Sequence, residues 1–129
     1  MEVVVNDFDG MKEILIAIGF RIQQVYEKWR ETFRWKDTIL CIDTMPFGNF
    51  LEIEGSKDGI LEAAAMLDMD WENRILTNYL HMFSIIKQNL GLSFNDLTFD
   101  NFSNIQIDII AFLPFFQLSR SAAKQHKPT

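Results

Sequence analysis

The fold is decided by residues 26–55, which read YEKWRETFRWKDTILCIDTMPFGNFLEIEG. Apolar and polar side chains alternate along most of this stretch, the pattern of β-strands that present two different faces. Lys36–Asp37 and Met45–Gly48 interrupt the alternation with residues that suit turns. We therefore predict three strands, over residues 21–35, 38–44 and 49–55.

The first predicted strand carries three cations on one face. Lys28, Arg30 and Arg34 occupy even positions, whereas Trp29 and Phe33 occupy odd positions and point the other way. Like charges in a row are unfavourable unless anions or water lie opposite them. We therefore expect this face to meet negative charge.

Carboxylates on the other two strands meet that expectation. Asp43 lies on the second strand, and Glu52 and Glu54 lie at alternate positions of the third. By periodicity alone, the simpler interpretation is a solvated face with weak salt bridges. A functional interpretation explains both signs of charge, because a triphosphate needs Lys and Arg for its oxygens and carboxylates hold the divalent metal that bridges them.

Helices are predicted on either side of the strands. A short strand over residues 2–6 is followed by an amphipathic helix over residues 11–18, which is expected to cover the sheet. Ser56 is placed to cap a second sheet-covering helix, and Thr77 is a candidate cap for a third. Together with the strands, these helices indicate an α+β fold.

The composition sets limits on function. The chain has 129 residues, 48% of them apolar, which fits one domain with a sizeable core. Its net charge of -6 argues against broad electrostatic binding to nucleic acid. The single cysteine, Cys41, has no disulfide partner, and residues 1–7 do not read as a signal peptide, so a cytoplasmic location is expected.

The C-terminal part divides into an apolar segment and a polar one. Residues 105–118 are the most hydrophobic stretch, but they contain Asp108 and Pro114 and are too short to cross a bilayer, so no membrane partner is expected. This segment is compatible with a helix, a strand or an interface. Residues 119–129 are predicted to form a disordered, solvated tail, which leaves residues 1–118 as the domain.

Two segments of the deciding stretch resemble one protein family. Residues 26–33 look like the basic strand of the CYTH superfamily, the class IV adenylyl cyclases and thiamine triphosphatases, in which a Lys-x-Arg pair contacts the triphosphate. Ile42–Asp43 followed by residues 47–55 is similar to that family's hydrophobic-Asp and Gly-x-Phe-x-Glu-Ile-Glu signature. Residues 18–20 and 91–99 also fit the family's order.

The resemblance, which covers about residues 1–102, implies a fold and a set of roles. The fold would be an antiparallel β half-barrel, part of a triphosphate tunnel, with helices packed outside. The ligand would be ATP, thiamine triphosphate or inorganic triphosphate, and the reaction hydrolysis or ATP cyclisation with Mg²⁺ or Mn²⁺. The implied phosphate-binding residues are Lys28 and Arg30, with Arg34 a further candidate, and the implied metal ligands are Asp43, Glu52 and Glu54.

The chain departs from the family pattern at one important point. The family's N-terminal Glu-x-Glu-x-Lys strand is not found, because the one Glu-x-Glu is Glu52-Ile53-Glu54 and Ser56 stands where the Lys would be. Half of the expected ligands are therefore missing, and an open sheet edge invites pairing with another chain. We expect a homo-oligomer or a partner chain that completes the barrel. The alternative is a non-catalytic remnant of the fold that binds triphosphate or forms oligomers.

Overall fold

The computed structural model describes residues 3–123, which form an α+β fold. Three antiparallel strands form an open sheet, and helices precede and follow it along the chain. The predicted α+β class and the antiparallel strands are therefore confirmed. In chain order the elements are α1 (Phe8–Ala17), β1 (Trp29–Trp35), β2 (Thr38–Met45), β3 (Gly48–Glu54), α2 (Lys57–Met66), a 3-10 turn (Trp71–Asn73), α3 (Tyr79–Leu90), α4 (Phe99–Phe102) and α5 (Ile109–Ala123).

Two tight hairpins join the strands in the order β1-β2-β3. The first turn is formed by Lys36 and Asp37, and Lys36 adopts a φ of 50° in the left-handed region. The second turn is formed by Pro46 and Phe47. Both turns fall where the sequence predicts them, and because hairpin loops of this length fix strand pairing, they also set the register of the sheet.

The register sorts the side chains of the sheet onto two faces. Arg30 pairs with Asp43 across β1 and β2, and Cys41 pairs with Glu52 across β2 and β3. Directly opposed residues in antiparallel strands point to the same side, so the cations of β1 and the carboxylates of β2 and β3 share one face. We call this the charged face. The apolar face is the opposite side, which carries Phe33 and Leu40.

The first strand is shorter than the sequence predicts. Strand β1 begins at Trp29, whereas the alternation predicts a start at residue 21. Over most of their length, residues 21–28 have no neighbouring strand within residues 3–123, and a strand without a partner leaves its backbone groups unpaired. One isolated parallel bridge joins Tyr26 to Leu97, with Leu97 N donating to Val25 O at 2.9 Å. The prediction of a strand over residues 21–28 is therefore wrong.

The N-terminal segment forms its helix but does not cover the sheet. Asp7 caps α1, since its Oδ1 accepts a hydrogen bond from Gly10 N at 2.9 Å. None of the α1 residues is buried, so the prediction that this helix packs on the sheet is wrong. The predicted strand at residues 2–6 is also wrong over its described part, where Val4 is 93% exposed and no other strand lies alongside.

Helix α2 covers part of the apolar face, as predicted. Ser56 caps it, with Gly59 N donating to Ser56 Oγ at 3.1 Å, and its buried Ala63 and Ala64 are small enough for close packing on β2 and β3. The closest approach is at Gly59, where a Cβ atom would lie 2.7 Å from Oγ1 of Thr38. Thr38 is itself buried, so it has little freedom to move aside.

Gly59→Ala is therefore expected to lower the free energy of unfolding by about 1–3 kcal/mol, the usual effect of overpacking. At an ordinary helical position the same change would stabilise the chain instead, by about 0.5–1 kcal/mol. Urea unfolding measures the difference. Thr38→Ala in the same chain removes the opposing hydroxyl and should restore most of the loss, whereas an unrelieved double variant would show that this contact does not limit α2 packing.

The main core joins the β2–β3 hairpin to the C-terminal helices. Its aromatic centre is Phe83 on α3 and Phe102 on α4, with ring centroids 5.9 Å apart. The segment for which the sequence left a helix, a strand or an interface open forms α5, and Phe116 of that helix is buried in the core. The buried members of this cluster are Met45, Phe47, Met82, Phe83, Ile86, Leu97, Phe102 and Phe116.

The C-terminal segment is helical for longer than the sequence indicates. Helix α5 continues to Ala123, into the region predicted as a tail, while residues 124–129 lie outside the described part of the chain. Within residues 3–123, no helix combines the length and the apolar character needed to span a membrane.

Candidate functional site

The charged face is centred on Asp43 of β2, whose side chain is 0% exposed. Its Oδ1 accepts a hydrogen bond from Arg30 Nε at 2.6 Å, and its Oδ2 accepts one from Arg30 Nη2 at 2.6 Å. Oδ2 also accepts hydrogen bonds from Lys28 Nζ at 3.0 Å and from the Tyr79 hydroxyl at 2.9 Å. A buried carboxylate is tolerated only when it is paired and hydrogen-bonded, and Asp43 meets both conditions.

Arg30 connects this buried carboxylate to the two on β3. Its Nη2 donates to Glu52 Oε2 at 2.5 Å, and its Nη1 lies 3.7 Å from Glu54 Oε1. The planar guanidinium suits this position because it offers several donors in one rigid fork. The cations and carboxylates that the strand alternation predicts on one face are thus in direct contact.

The contacts at this cluster shift the protonation of its members. The Arg30 guanidinium, more than Lys28 and Tyr79, holds the pKa of Asp43 well below its usual range, against the opposing effect of burial. Hydrogen bonding to Asp43 in turn raises the pKa of Arg30 further above its ordinary value. At neutral pH Asp43 is therefore ionised and Arg30 protonated.

Tyr79 is the site residue that the sequence does not reveal. It opens α3, and its ring packs beside Phe50 with centroids 5.3 Å apart, so on sequence grounds it belongs to the apolar stripe of that helix. Burial, and then the hydrogen bond to Asp43, raise the pKa of the Tyr79 hydroxyl, which stays protonated and acts as a donor. The one available signal is that a buried tyrosine hydroxyl requires a polar partner.

Lys28 and Arg34, the other two predicted cations, differ in their positions. Lys28 is three-quarters buried and lies over the Tyr79 ring, 5.5 Å from its centroid. Arg34 lies farther along β1, opposite Ile39, and no salt bridge to it occurs within residues 3–123. Four residues of strand separate Arg34 from Arg30 by about 13 Å. Lys28 is therefore part of the cluster, and Arg34 is at its margin.

The carboxylates of the charged face differ in how well they could serve as metal ligands. Glu52 and Glu54 are 36% and 55% exposed and supply the oxygen donors that Mg²⁺ and Mn²⁺ prefer. In the described part of the chain, no group of three or more His, Cys, Asp or Glu side chains is arranged to hold a metal ion. Mg²⁺ often binds through one or two carboxylates together with phosphate oxygens, and the Glu52–Glu54 pair fits that requirement.

An open groove lies beside Lys28. Its volume is about 510 Å³, and its other lining residues are Tyr26, Glu27, Trp29 and Phe99. Glu27 is fixed there, because its Oε2 accepts a hydrogen bond from Phe99 N at 2.9 Å. Trp29 is 73% exposed and presents its ring to solvent. Trp29 points to the face opposite the charged face, so the groove lies at the outer edge of the sheet, where Lys28 and the Trp29 ring both line it.

Comparison with known proteins does not identify a family or a function for this chain. The chain matches no family model, no curated protein and no solved structure. The motifs of the central strands and the contacts of the charged face are therefore the features that bear on function.

Proposed function

We propose that this chain binds a metal-complexed triphosphate on its charged face and supports its hydrolysis or, with ATP, its cyclisation. The observation that carries the proposal is the contact of Lys28 and Arg30 with carboxylates from both neighbouring strands. A surface of weak salt bridges would not bury its central carboxylate or surround it with four donor contacts. This burial favours a functional cluster over a solvated face.

The charge arrangement suits a ligand that carries both signs. Triphosphate oxygens would bind Lys28 and Arg30, and Glu52 and Glu54 would hold Mg²⁺ or Mn²⁺, with Asp43 the third metal ligand that the CYTH resemblance implies. The metal supplies charge neutralisation at the phosphates. Binding would exchange the Arg30–Glu52 contact for one between Arg30 and phosphate and one between Glu52 and the metal. Phosphoryl transfer depends mainly on such positioning and neutralisation, so no protein nucleophile is required.

The outer edge of β1 is a position at which another chain could complete the site. Within residues 3–123, β1 pairs with β2 on one side and with no strand on the other. Such an edge presents free backbone donors and acceptors to another strand. A second copy, or a partner chain that carries the missing Glu-x-Glu-x-Lys strand, would extend the charged face into a half-barrel and then a tunnel. Light scattering after size exclusion measures whether the chain assembles with itself.

Binding and turnover are tested separately. Inorganic tripolyphosphate with Mg²⁺ should raise the stability of the chain by about 2.7 kcal/mol at one hundred times its Kd. Released phosphate reports hydrolysis, and released pyrophosphate from ATP reports cyclisation. Lys28→Ala should remove both the stabilisation and any turnover. Lys36→Ala is the matched control, because Lys36 belongs to the adjacent turn and pairs with Glu62 instead.

The alternative function is triphosphate binding without turnover. The open three-stranded sheet favours it, since the described strands supply one set of cations and carboxylates and no opposite wall. Stabilisation by tripolyphosphate with no release of phosphate or pyrophosphate would identify this alternative. Neither stabilisation nor turnover would contradict both functions.

Trp29→Ala tests whether the ligand has an organic part. The groove beside Lys28 has room for an aromatic ring, and stacking on an aromatic side chain contributes about 1–3 kcal/mol. We expect the variant to bind ATP or thiamine triphosphate about tenfold more weakly, by calorimetry, and to bind inorganic tripolyphosphate unchanged. Equal losses of affinity for all three ligands would show that Trp29 stabilises the strand and does not stack on the organic group of the ligand. No loss for any ligand would show that the organic group binds elsewhere.

A further inference from the structure

Both oxygens of Asp43 already accept hydrogen bonds from the protein. One accepts a hydrogen bond from Arg30, and the other accepts from Arg30, Lys28 and Tyr79. The side chain is inaccessible to solvent, whereas Glu52 and Glu54 are partly open. A buried carboxylate with several hydrogen-bond donors is less available to a metal ion than the two partly exposed glutamates.

We infer that Asp43 is a positioning residue, which holds Lys28 and Arg30 for the phosphates, and that Tyr79 fixes the direction of its carboxylate. The inference rests on the proposed function, and it departs from the metal-ligand role that the CYTH resemblance implies for Asp43. The metal is left to Glu52 and Glu54.

The argument against metal binding by Asp43 is one of lost partners. To reach a cation, the carboxylate would have to give up contacts with two positive side chains and a hydroxyl. The Lys28 and Arg30 side chains are only partly exposed, so leaving these charged donors without an acceptor costs free energy that water recovers only in part. A hard divalent cation is also repelled by the Lys28 and Arg30 charges that surround this carboxylate. Glu52 and Glu54 also contact Arg30, but their side chains are partly exposed, so water can replace the contact that each gives up to a metal ion.

Tyr79 links the charged face to the helical core. It stands at the first position of α3, a helix anchored in the core by the fully buried Met82, Phe83 and Ile86. Its ring contacts Phe50 of β3, so the hydroxyl reaches Asp43 from a fixed direction. A hydroxyl held in this way orients the carboxylate through a hydrogen bond rather than through a charge.

The experiment uses Tyr79→Phe, which removes the hydroxyl and keeps the ring. We expect a loss of tripolyphosphate affinity of about tenfold, the usual size for a group that orients a ligand-binding residue, with Mn²⁺ affinity unchanged. Asp43→Asn should likewise lose tripolyphosphate affinity and keep its Mn²⁺ affinity. Glu52→Gln should instead lose Mn²⁺ affinity. Calorimetry gives the first affinity, and the electron paramagnetic resonance of free Mn²⁺ gives the second.

A ligand-free measurement separates this inference from the proposed function. The Arg30 Nε–Hε signal in nitrogen-edited NMR should be protected from exchange in the wild type and lose that protection in Tyr79→Phe. Failure of the wild type to bind tripolyphosphate would overturn the proposed function. Wild-type binding that Tyr79→Phe leaves unchanged, or an Mn²⁺ loss in Asp43→Asn as large as that in Glu52→Gln, would overturn the positioning role alone.

Discussion

Asp43→Ala should lower the free energy of unfolding by about 3 kcal/mol, the effect of removing one partner from a buried ion pair. The variant leaves Arg30 and Lys28 facing each other without the carboxylate between them, and it leaves the Tyr79 hydroxyl without its acceptor. Urea unfolding at neutral pH measures the loss. Glu31→Gln is the control, because Glu31 is exposed on the opposite side of β1 and should change stability by less than about 0.5 kcal/mol.

The same pair predicts how stability depends on pH. The pKa of Asp43 is lowered in the folded chain, chiefly by Arg30, so at acidic pH this carboxyl group binds fewer protons in the folded chain than in the unfolded chain. Its stabilising contribution is therefore complete above its unfolded pKa of about 4, declines as the pH falls below that value, and is lost only when the pH reaches the lowered pKa of the folded chain. The difference in stability between wild type and Asp43→Asn should be constant from pH 7 to pH 5 and shrink by pH 3. A difference as large at pH 3 as at pH 5 would contradict this account of the pair.

Arg30→Ala should weaken tripolyphosphate binding about 100-fold, because hydrogen bonds to charged groups contribute about 1.5–3 kcal/mol each. Arg30→Lys keeps the charge but not the fork, so it should show an intermediate loss. Calorimetry at low temperature, where the variants stay folded, measures both values. Lys36→Ala is again the control, since Lys36 is 63% exposed and lies over the Trp35 ring outside the site. Equal affinity in Arg30→Ala and Lys36→Ala would exclude Arg30 from the binding site.

The charged face could be predicted because it depends on local rules. Two hairpin turns of two residues each, at Lys36–Asp37 and Pro46–Phe47, fix the register of three consecutive strands. Alternation along a strand then decides which side chains share a face. Neither step requires knowledge of the rest of the fold. The contact of Arg30 with Asp43 and Glu52 therefore follows from residues 26–55 alone.

Features that depend on distant partners could not be predicted. Residues 21–28 have strand-like alternation, yet most of them have no neighbouring strand in the part of the chain that the structure describes, and alternation does not reveal a missing partner. Helices α1 and α2 both carry apolar residues at helical spacing. In the described chain, however, only α2 buries its apolar side against the sheet. Tyr79 reaches Asp43 across 36 positions of sequence, and that contact arises from how α3 packs against β3.

Mapping the binding site by NMR tests the central claim most directly. Uniformly labelled wild-type chain is titrated with tripolyphosphate and Mg²⁺, and the shifts of backbone and arginine side-chain signals are followed. The account predicts that the largest changes lie on the charged face, at Lys28, Arg30, Glu52 and Glu54, with little change in α1. Changes concentrated elsewhere, or no changes at millimolar ligand, would contradict it.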